Sequence, residues 1–318
     1  MEAPKLWHIA LVGYGEVGRI LAEDLRAQGV TVSAFDLKLG SDAGDTMHAQ
    51  RCSQARSQMQ AHAQAHGVSL TASHADAARN ADLIISAVTA SQTVAVADAC
   101  APALQKHTWF LDFNSASPGA KIRAAALVDG AGGRYVEGAV MTSIPPYRIK
   151  VPLLLGGPQA QALAPQLNAL GFSAKVANPK LGVASATKMC RSVMIKGLEA
   201  MVIESFTTAR AYGVEDAVIA SLYETFPGID WEKQGAYFFQ RVIEHGRRRS
   251  EEVREVAATV REAGLTPWSA SGTAERQAWV ADLADGGLFG EKGTPAFARS
   301  SDWRVEADRI LAGAKNKV

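Results

Sequence analysis

The sequence predicts an α/β protein: a doubly wound, mostly parallel sheet followed by an all-helical domain. Three observations carry that prediction. An apolar run, a glycine-rich turn, a helical pattern and a second apolar run closed by an acid follow one another from Leu6 to Asp36. Short apolar strands then alternate with helical patterns as far as Val176, the signature of βαβ units. From Leu181 the alternation stops and long helices take over.

Leu6 to Val12 is nearly continuous in apolar residues, as expected of a strand covered on both faces. Gly13-Tyr14-Gly15-Glu16-Val17-Gly18 follows, then a helix with Ile20, Leu21 and Leu25 on one side and Arg19, Glu23 and Arg26 on the other, closing at Gly29. Thr31 to Phe35 is the second strand, with Asp36 at its carboxyl end. A G-x-G-x-x-G between a strand and a helix, with an acid about 20 residues on, is the dinucleotide-binding fingerprint of a Rossmann domain. Gly13 permits the tight turn, Gly15 lets backbone approach a pyrophosphate, and Gly18 allows close packing of the helix. Tyr14, Glu16 and Val17 complete the turn, whose helix N-terminus offers free N–H groups and a positive dipole end to phosphates. Asp36 is expected to accept hydrogen bonds from the adenosine ribose, which points to NAD; Lys38, two residues on, keeps NADP open.

The elements after Asp36 read in order. Lys38 to Gly67 predicts a surface helix with a weak inner stripe of Met47, Arg51, Ala55 and Met59. His48, His62 and His66 lie on it without a neighbouring carboxylate or cysteine cluster, so a solvated face is preferred over a metal site. Val68 to Thr71 is a short third strand, Ser73 caps a helix over His74 to Arg79, and Leu83 to Val88 is the fourth strand. Val88 and Thr89 leave it at the carboxyl end, where ligands collect in open α/β sheets. A helix over Val94 to Leu104 returns to the strand Trp109 to Asp112, followed by Asn114 and Ser115, with Ser117 as N-cap and Pro118 in the first turn of the next helix. Tyr135 to Val140 and Val151 to Leu155 read as strands. Pro145-Pro146 forces a loop between them, because proline cannot sit in a central strand. Gln159 to Leu170 is a helix and Ala174 to Val176 a last strand.

The helical half begins with Leu181 to Tyr212, which carries no proline and suggests an interdomain or intersubunit spine. Helices over Glu215–Phe226, Trp231–Ala263, Ala274–Leu283 and Asp302–Leu311 follow. The expected domains are residues 1–178 and 179–318, meeting near Asn178-Pro179. At 318 residues both halves have room for a core. Thirty-three basic residues against 32 acids give no field for nucleic acid or an anionic membrane. Three cysteines without a CxxC pair suit a reducing cytoplasm, the short lead into the first strand leaves no room for a signal peptide, and no apolar run is long enough to span a bilayer.

Lys188 lies early on the long helix. At 100° per residue Ser192 and Glu199 share its face, with Arg191 to the other side. A lysine here also suits a stem laid on apolar surface with its head in water.

Together, the glycine turn, Asp112-Phe113-Asn114-Ser115, Leu155-Gly156-Gly157 and Gly182…Lys188 resemble, in order, the β-hydroxyacid dehydrogenases. These include the 3-hydroxyisobutyrate, tartronate-semialdehyde and 6-phosphogluconate dehydrogenases. The stretch from His245 to Val253 looks like a branch with its own helical C-terminal domain. The resemblance implies that Lys188 is the catalytic acid/base and that Asn114 sits beside the nicotinamide. It implies that Thr142 and Ser143 stand where the family holds the substrate carboxylate in a Ser-Gly-Gly loop. Ser192 replaces a usual asparagine and Arg191 a histidine or asparagine, departures that bear on the substrate.

The chemistry asks for such a lysine: hydride leaves a carbinol carbon only as the hydroxyl proton is withdrawn, and in reverse a cation assists the carbonyl oxygen. A free lysine near pKa 10.4 must be desolvated or placed beside another cation such as Arg191 to act at neutral pH. Arg191, Arg248 or Arg249 could pair a substrate carboxylate as a fork. The leading expectation is an NAD(P)-dependent oxidoreductase acting on a small β-hydroxy acid or its semialdehyde, assembled as a homodimer through the helical domains. Oxidative decarboxylation of a sugar acid phosphate ranks below it, because the second acid expected seven residues after the lysine is Ile195. Imine reduction ranks below it because relatives with that activity generally lack the lysine, and a dinucleotide-sensing protein without chemistry because the lysine is kept.

Overall fold

A computed structural model describes residues 7–40, 47–292, 294, 297 and 300–315. Eight strands form one sheet: β1 (His8–Val12), β2 (Thr31–Phe35), β3 (Ser69–Leu70), β4 (Leu83–Ser86), β5 (Trp109–Asp112), β6 (Arg134–Val140), β7 (Pro152–Gly156) and β8 (Ser173–Asn178). Their order is β3-β2-β1-β4-β5-β6-β7-β8. The first six run parallel, β7 is antiparallel to β6, and β8 is parallel to β7. An antiparallel return needs no crossover helix, so the Pro145-Pro146 loop and a short 3₁₀ turn over Arg148–Lys150 suffice between β6 and β7.

Helices α1 (Glu16–Ala27), α2 (Met47–His66), α3 (His74–Ala78), α4 (Thr93–Cys100), α5 (Pro118–Gly130) and α6 (Ala160–Ala169) cover both faces of the sheet. The period of two along β1 divides the core. Ile9 and Leu11 pack with Leu21 and Leu25 of α1 and Leu163 and Leu167 of α6. Ala10 and Val12 face the opposite way, toward Val96 of α4 and Ala124 and Val128 of α5. That two-sided burial is why these strands lack polar alternation. Ser73 caps α3 by accepting from the Asp76 N–H, and Ser117 caps α5 by accepting from the Ala120 N–H. Of the expected inner stripe on α2, Met59 is buried; the side chains of Met47, His48 and Arg51 lie outside the described residues.

The long helix α7 spans Val183–Tyr212, followed by α8 (Glu215–Thr225), α9 (Trp231–Glu262), α10 (Trp268–Asp285) and α11 (Trp303–Lys315). Phe206, Phe239, Trp303, Val242 and Val280 centre a second hydrophobic core there. Gly246 lets α9 approach α10 closely, since a Cβ at that point would stand 2.8 Å from the Gln277 carbonyl oxygen. α10 starts at Trp268, six residues before the start expected at Ala274. Pro267 precedes it where its missing N–H costs nothing, and Gly272 had blurred the apolar spacing.

The chain parts into two compact units after Met189, inside α7 rather than ahead of it at Asn178-Pro179. The physical reason lies on β6. Glu137 Oε1 accepts from the Ser185 N–H at 2.8 Å and its Oε2 accepts from the Gly182 N–H, so a buried carboxylate caps α7 from the sheet. Those two bonds hold the first turns of α7 in the N-terminal unit.

Candidate active site

Parallel strands put the carboxyl ends of β1, β2, β4 and β5 on one edge of the sheet, and the expected cofactor residues collect there. Gly13 has φ +97°, and a Cβ on it would stand 2.4 Å from the Ala87 carbonyl oxygen. Gly18 meets the turn itself: its Cβ would lie 2.1 Å from the Gly13 carbonyl oxygen. Gly15 is different, since a Cβ there would meet nothing within 4 Å. That open space lies at the N-terminus of α1, which no side chain caps, so its leading N–H groups are left for an anion. Glu16 is exposed, Val17 half-buried and packed on the core, and Tyr14 wholly buried.

Asp36 serves this turn structurally as well. Its Oδ2 accepts from the Tyr14 N–H at 2.9 Å and its Oδ1 from the Lys38 N–H at 3.0 Å. Each oxygen keeps a lone pair for a further donor such as a ribose hydroxyl. These features fit a dinucleotide: open space over Gly15, an uncapped helix N-terminus, and an acid at the end of β2.

Toward β5 the edge carries polar side chains held in place. Asn114 is buried; its Oδ1 accepts from the Val88 N–H at 2.8 Å and its Nδ2 donates to Ser86 Oγ at 3.0 Å. Val88 and Asn114 are therefore in direct contact, while Thr89 is exposed beside them. Beneath the loop lies a buried ion pair, Lys121 Nζ to Asp112 Oδ1 at 2.8 Å. Asp112 also accepts from Tyr135 Oη at 2.7 Å and from the Asn114 N–H at 2.9 Å. Burial pushes the Tyr135 hydroxyl well above its ordinary pKa, with the Asp112 carboxylate adding to it, so Tyr135 stays a donor. Lys121 Nζ further donates to the Asp112 carbonyl oxygen at 2.9 Å. The network fixes the backbone that presents Asn114 and Ser115.

Lys188, in the second turn of α7, points at that backbone: its Nζ donates to Ser115 Oγ at 2.6 Å. Asn114, Ser115 and Lys188 thus form one polar group at the sheet edge. Ser115 carried no individual role in the sequence reading, although its place directly after Asn114 was a usable signal. Thr142 and Ser143 are exposed in the loop that leaves β6 at the same edge.

The remaining candidates belong to the helical unit. Ser192 is buried and Arg191 exposed. Arg249 is buried against Glu199, with Nε 3.1 Å from Oε2, and Arg248 Nη1 binds Glu252 Oε1 at 2.6 Å. Arg248 and Arg249, two of the three arginines offered as carboxylate forks, therefore already hold carboxylates of the protein. Lys196, one turn beyond Ser192, was missed; it is buried and bonds Glu252 Oε2 at 2.6 Å. Burial lowers its pKa, and the Glu252 carboxylate opposes that shift.

Fold and edge geometry define a dinucleotide-binding protein with a lysine beside the site. Residues 8–162 match the NAD binding domain of 6-phosphogluconate dehydrogenase, and residues 209–280 match a domain of unknown function (DUF1932). A conserved hypothetical protein from Sinorhizobium meliloti is 34% identical, covering 96% of this chain and 97% of that one, with a TM-score of 0.72. An uncharacterized 28.5 kDa protein of Methanothermus fervidus is 27% identical over 81% of this chain and 93% of its own. The Mycobacterium tuberculosis 3-hydroxyisobutyrate dehydrogenase, solved with L-serine, shares the fold at 18% identity, a TM-score of 0.67, and coverage of 88% of this chain and 96% of that one. The chain belongs to the β-hydroxyacid dehydrogenase superfamily, in a branch whose helical C-terminal domain is of the DUF1932 type. Members of that family are NAD(P)-dependent oxidoreductases.

Proposed function

We propose that the protein transfers a hydride between NAD and a small β-hydroxy acid or its carbonyl counterpart, with Lys188 moving the proton. One observation carries the reading: the Lys188 ammonium lies 2.6 Å from Ser115 Oγ, next to the buried Asn114 and along the edge that bears the Gly15 opening. When bound, the nicotinamide accepts the hydride in oxidation and supplies it in reduction. In oxidation neutral Lys188 takes the hydroxyl proton as the carbonyl forms; in reduction the ammonium returns it to the oxygen. Ser115 orients the amine by accepting one of its hydrogen bonds, and Asn114 sets the floor of the site through Val88 and Ser86. Thr142 and Ser143, exposed in the loop that leaves β6, are the proposed contacts for the substrate carboxylate. Asp36 supports NAD over NADP, since a 2′-phosphate would meet its negative charge.

The test is a panel of aliphatic, aromatic and polyhydroxylated β-hydroxy acids, read by NADH absorbance. Turnover of at least one class is expected. Tight NADH binding without turnover of any panel member, in either direction, would leave a dinucleotide-sensing protein instead.

A further inference from the structure

Three side chains that the proposed chemistry leaves unused meet between α1 and α2. Glu23 projects from α1, while His62 and His66 lie one turn apart on α2. One ligand atom from each falls within 4.8 Å of the others. His62 Nε2 stands 2.9 Å from Glu23 Oε1, and the two imidazoles stack with centroids 4.5 Å apart. We propose that Glu23, His62 and His66 bind one divalent transition-metal ion of the zinc, cobalt or nickel class.

The carboxylate that the α2 sequence lacks is supplied by α1, which is why the histidines alone read as a solvated face. His62 is largely buried, its side chain 13% exposed, and its second nitrogen is engaged: Nδ1 lies 2.8 Å from Tyr14 Oη. With Nε2 given to a metal, Nδ1 carries the ring proton and donates it to the Tyr14 oxygen. Such an outer bond fixes tautomer and ring orientation in metal-binding histidines. The other oxygen of Glu23 is held by Arg148 Nη2 at 2.6 Å, which leaves Oε1 as a single-oxygen ligand. Arg148 also binds Asp24 at 2.8 Å, so two carboxylates face one guanidinium and the ground stays negative. Arg26, a further cation near His66, donates to the His66 backbone carbonyl oxygen.

Two nitrogens and one oxygen, with water as fourth ligand, suit zinc, cobalt or nickel; magnesium and calcium ask for oxygen donors throughout. Donors on one tetrahedral zinc stand roughly 3.3 Å apart. The trio therefore contracts on loading, and the exposed His66 ring is the member with room to move. Tyr14 is also the second residue of the glycine turn, so the ion would tie α2 to that turn.

Chelator-treated full-length protein carrying no histidine tag should take up one Co²⁺ or Zn²⁺ per chain by calorimetry. The cobalt form should show the visible bands of a four-coordinate ion, and Mg²⁺ at equal concentration should give no heat. His66→Ala removes an exposed ring and leaves the Tyr14 contact intact, so the metal-free protein should melt as the wild type does. Its Co²⁺ affinity should fall at least roughly tenfold, and Glu23→Gln should fall in the same sense. Unsaturable uptake by the wild type, or wild-type affinity in His66→Ala, would overturn the site. Neither readout depends on turnover, so a failure here is distinct from a failure of the dehydrogenase reading.

Discussion

Asp36 does two things with one carboxylate: it clamps the glycine turn through the Tyr14 N–H and caps the following 3₁₀ turn through the Lys38 N–H. Asp36→Ala should therefore weaken both dinucleotides, and NADH more than NADPH, because only NADH loses a ribose acceptor while NADPH is relieved of repulsion. The ratio of the two dissociation constants, read by fluorescence titration, is the informative number, and an unchanged ratio would remove Asp36 from ribose recognition. At Lys188 the expected outcome is kinetic. Lys188→Ala should lower kcat by roughly two to four orders of magnitude with little change in NADH affinity, since the Gly13–Gly18 turn belongs to β1 and α1 while Lys188 stands on α7 and bonds Ser115. Lys188→Arg should not rescue, because a guanidinium keeps its proton at every accessible pH. Full turnover in Lys188→Ala would send the search for the proton acceptor elsewhere along the edge.

Among the elements, α7 depends on a cap that comes from another part of the chain. Glu137 accepts two of its leading N–H groups, and Gly156 makes room for that carboxylate, since a Cβ there would stand 2.9 Å from Glu137 Cδ. Hydrogen bonds to a charged acceptor contribute about 1.5–3 kcal/mol each. Glu137→Gln keeps the shape and one acceptor, so a loss of about 2 kcal/mol in urea unfolding is expected. A drop in kcat should accompany it, because Lys188 rides on the turns that Glu137 holds. Unchanged stability would mean the cap contributes nothing net. None of this was legible in the sequence, where Glu137 is one acid inside a strand pattern. The β1–turn–α1–β2 unit was legible, because its chemistry is local: neighbouring residues set the glycine turn, the helix stripe and the acid. Lys188 was found by its place in a known order of motifs. Its partner Ser115, the Glu23 that meets His62, and the Lys196–Glu252 and Arg249–Glu199 pairs all join distant segments, and no spacing rule reports such meetings.

α7 exposes Met194 and Met201, seven residues apart and so on one face, with Tyr212 near its end. We propose that a second copy covers them, making a homodimer through the helical units. Light scattering giving the monomer mass of 33.7 kDa at micromolar concentration would contradict that. Stability should also fall in acid. Arg210 holds Glu215 below the usual carboxylate range by hydrogen bonding, Arg304 does so for Glu232, and Lys292 with Arg247 for Asp285. A depressed folded-state pKa contributes stability above the unfolded value, about 4 for these groups, and loses it as pH falls through the folded value. The thermal midpoint should accordingly decline from about pH 4 downward. Added salt at neutral pH should shrink the contribution of these pairs, most of which lie near the surface.

The Glu137 cap has one more implication, for anyone who would recombine this protein with its relatives. A crossover placed at Asn178-Pro179, where strands give way to helices, would hand α7 to a donor whose β6 acid need not match its first turn. Moving the splice past Met189 keeps Glu137, the first turns of α7 and Lys188 from a single parent. Chimeras joined there should express as soluble protein and bind NADH, while those joined at the earlier point should lose both. Module exchange in this branch is thus governed by a bond from the sheet, and the seam is set by where that bond ends.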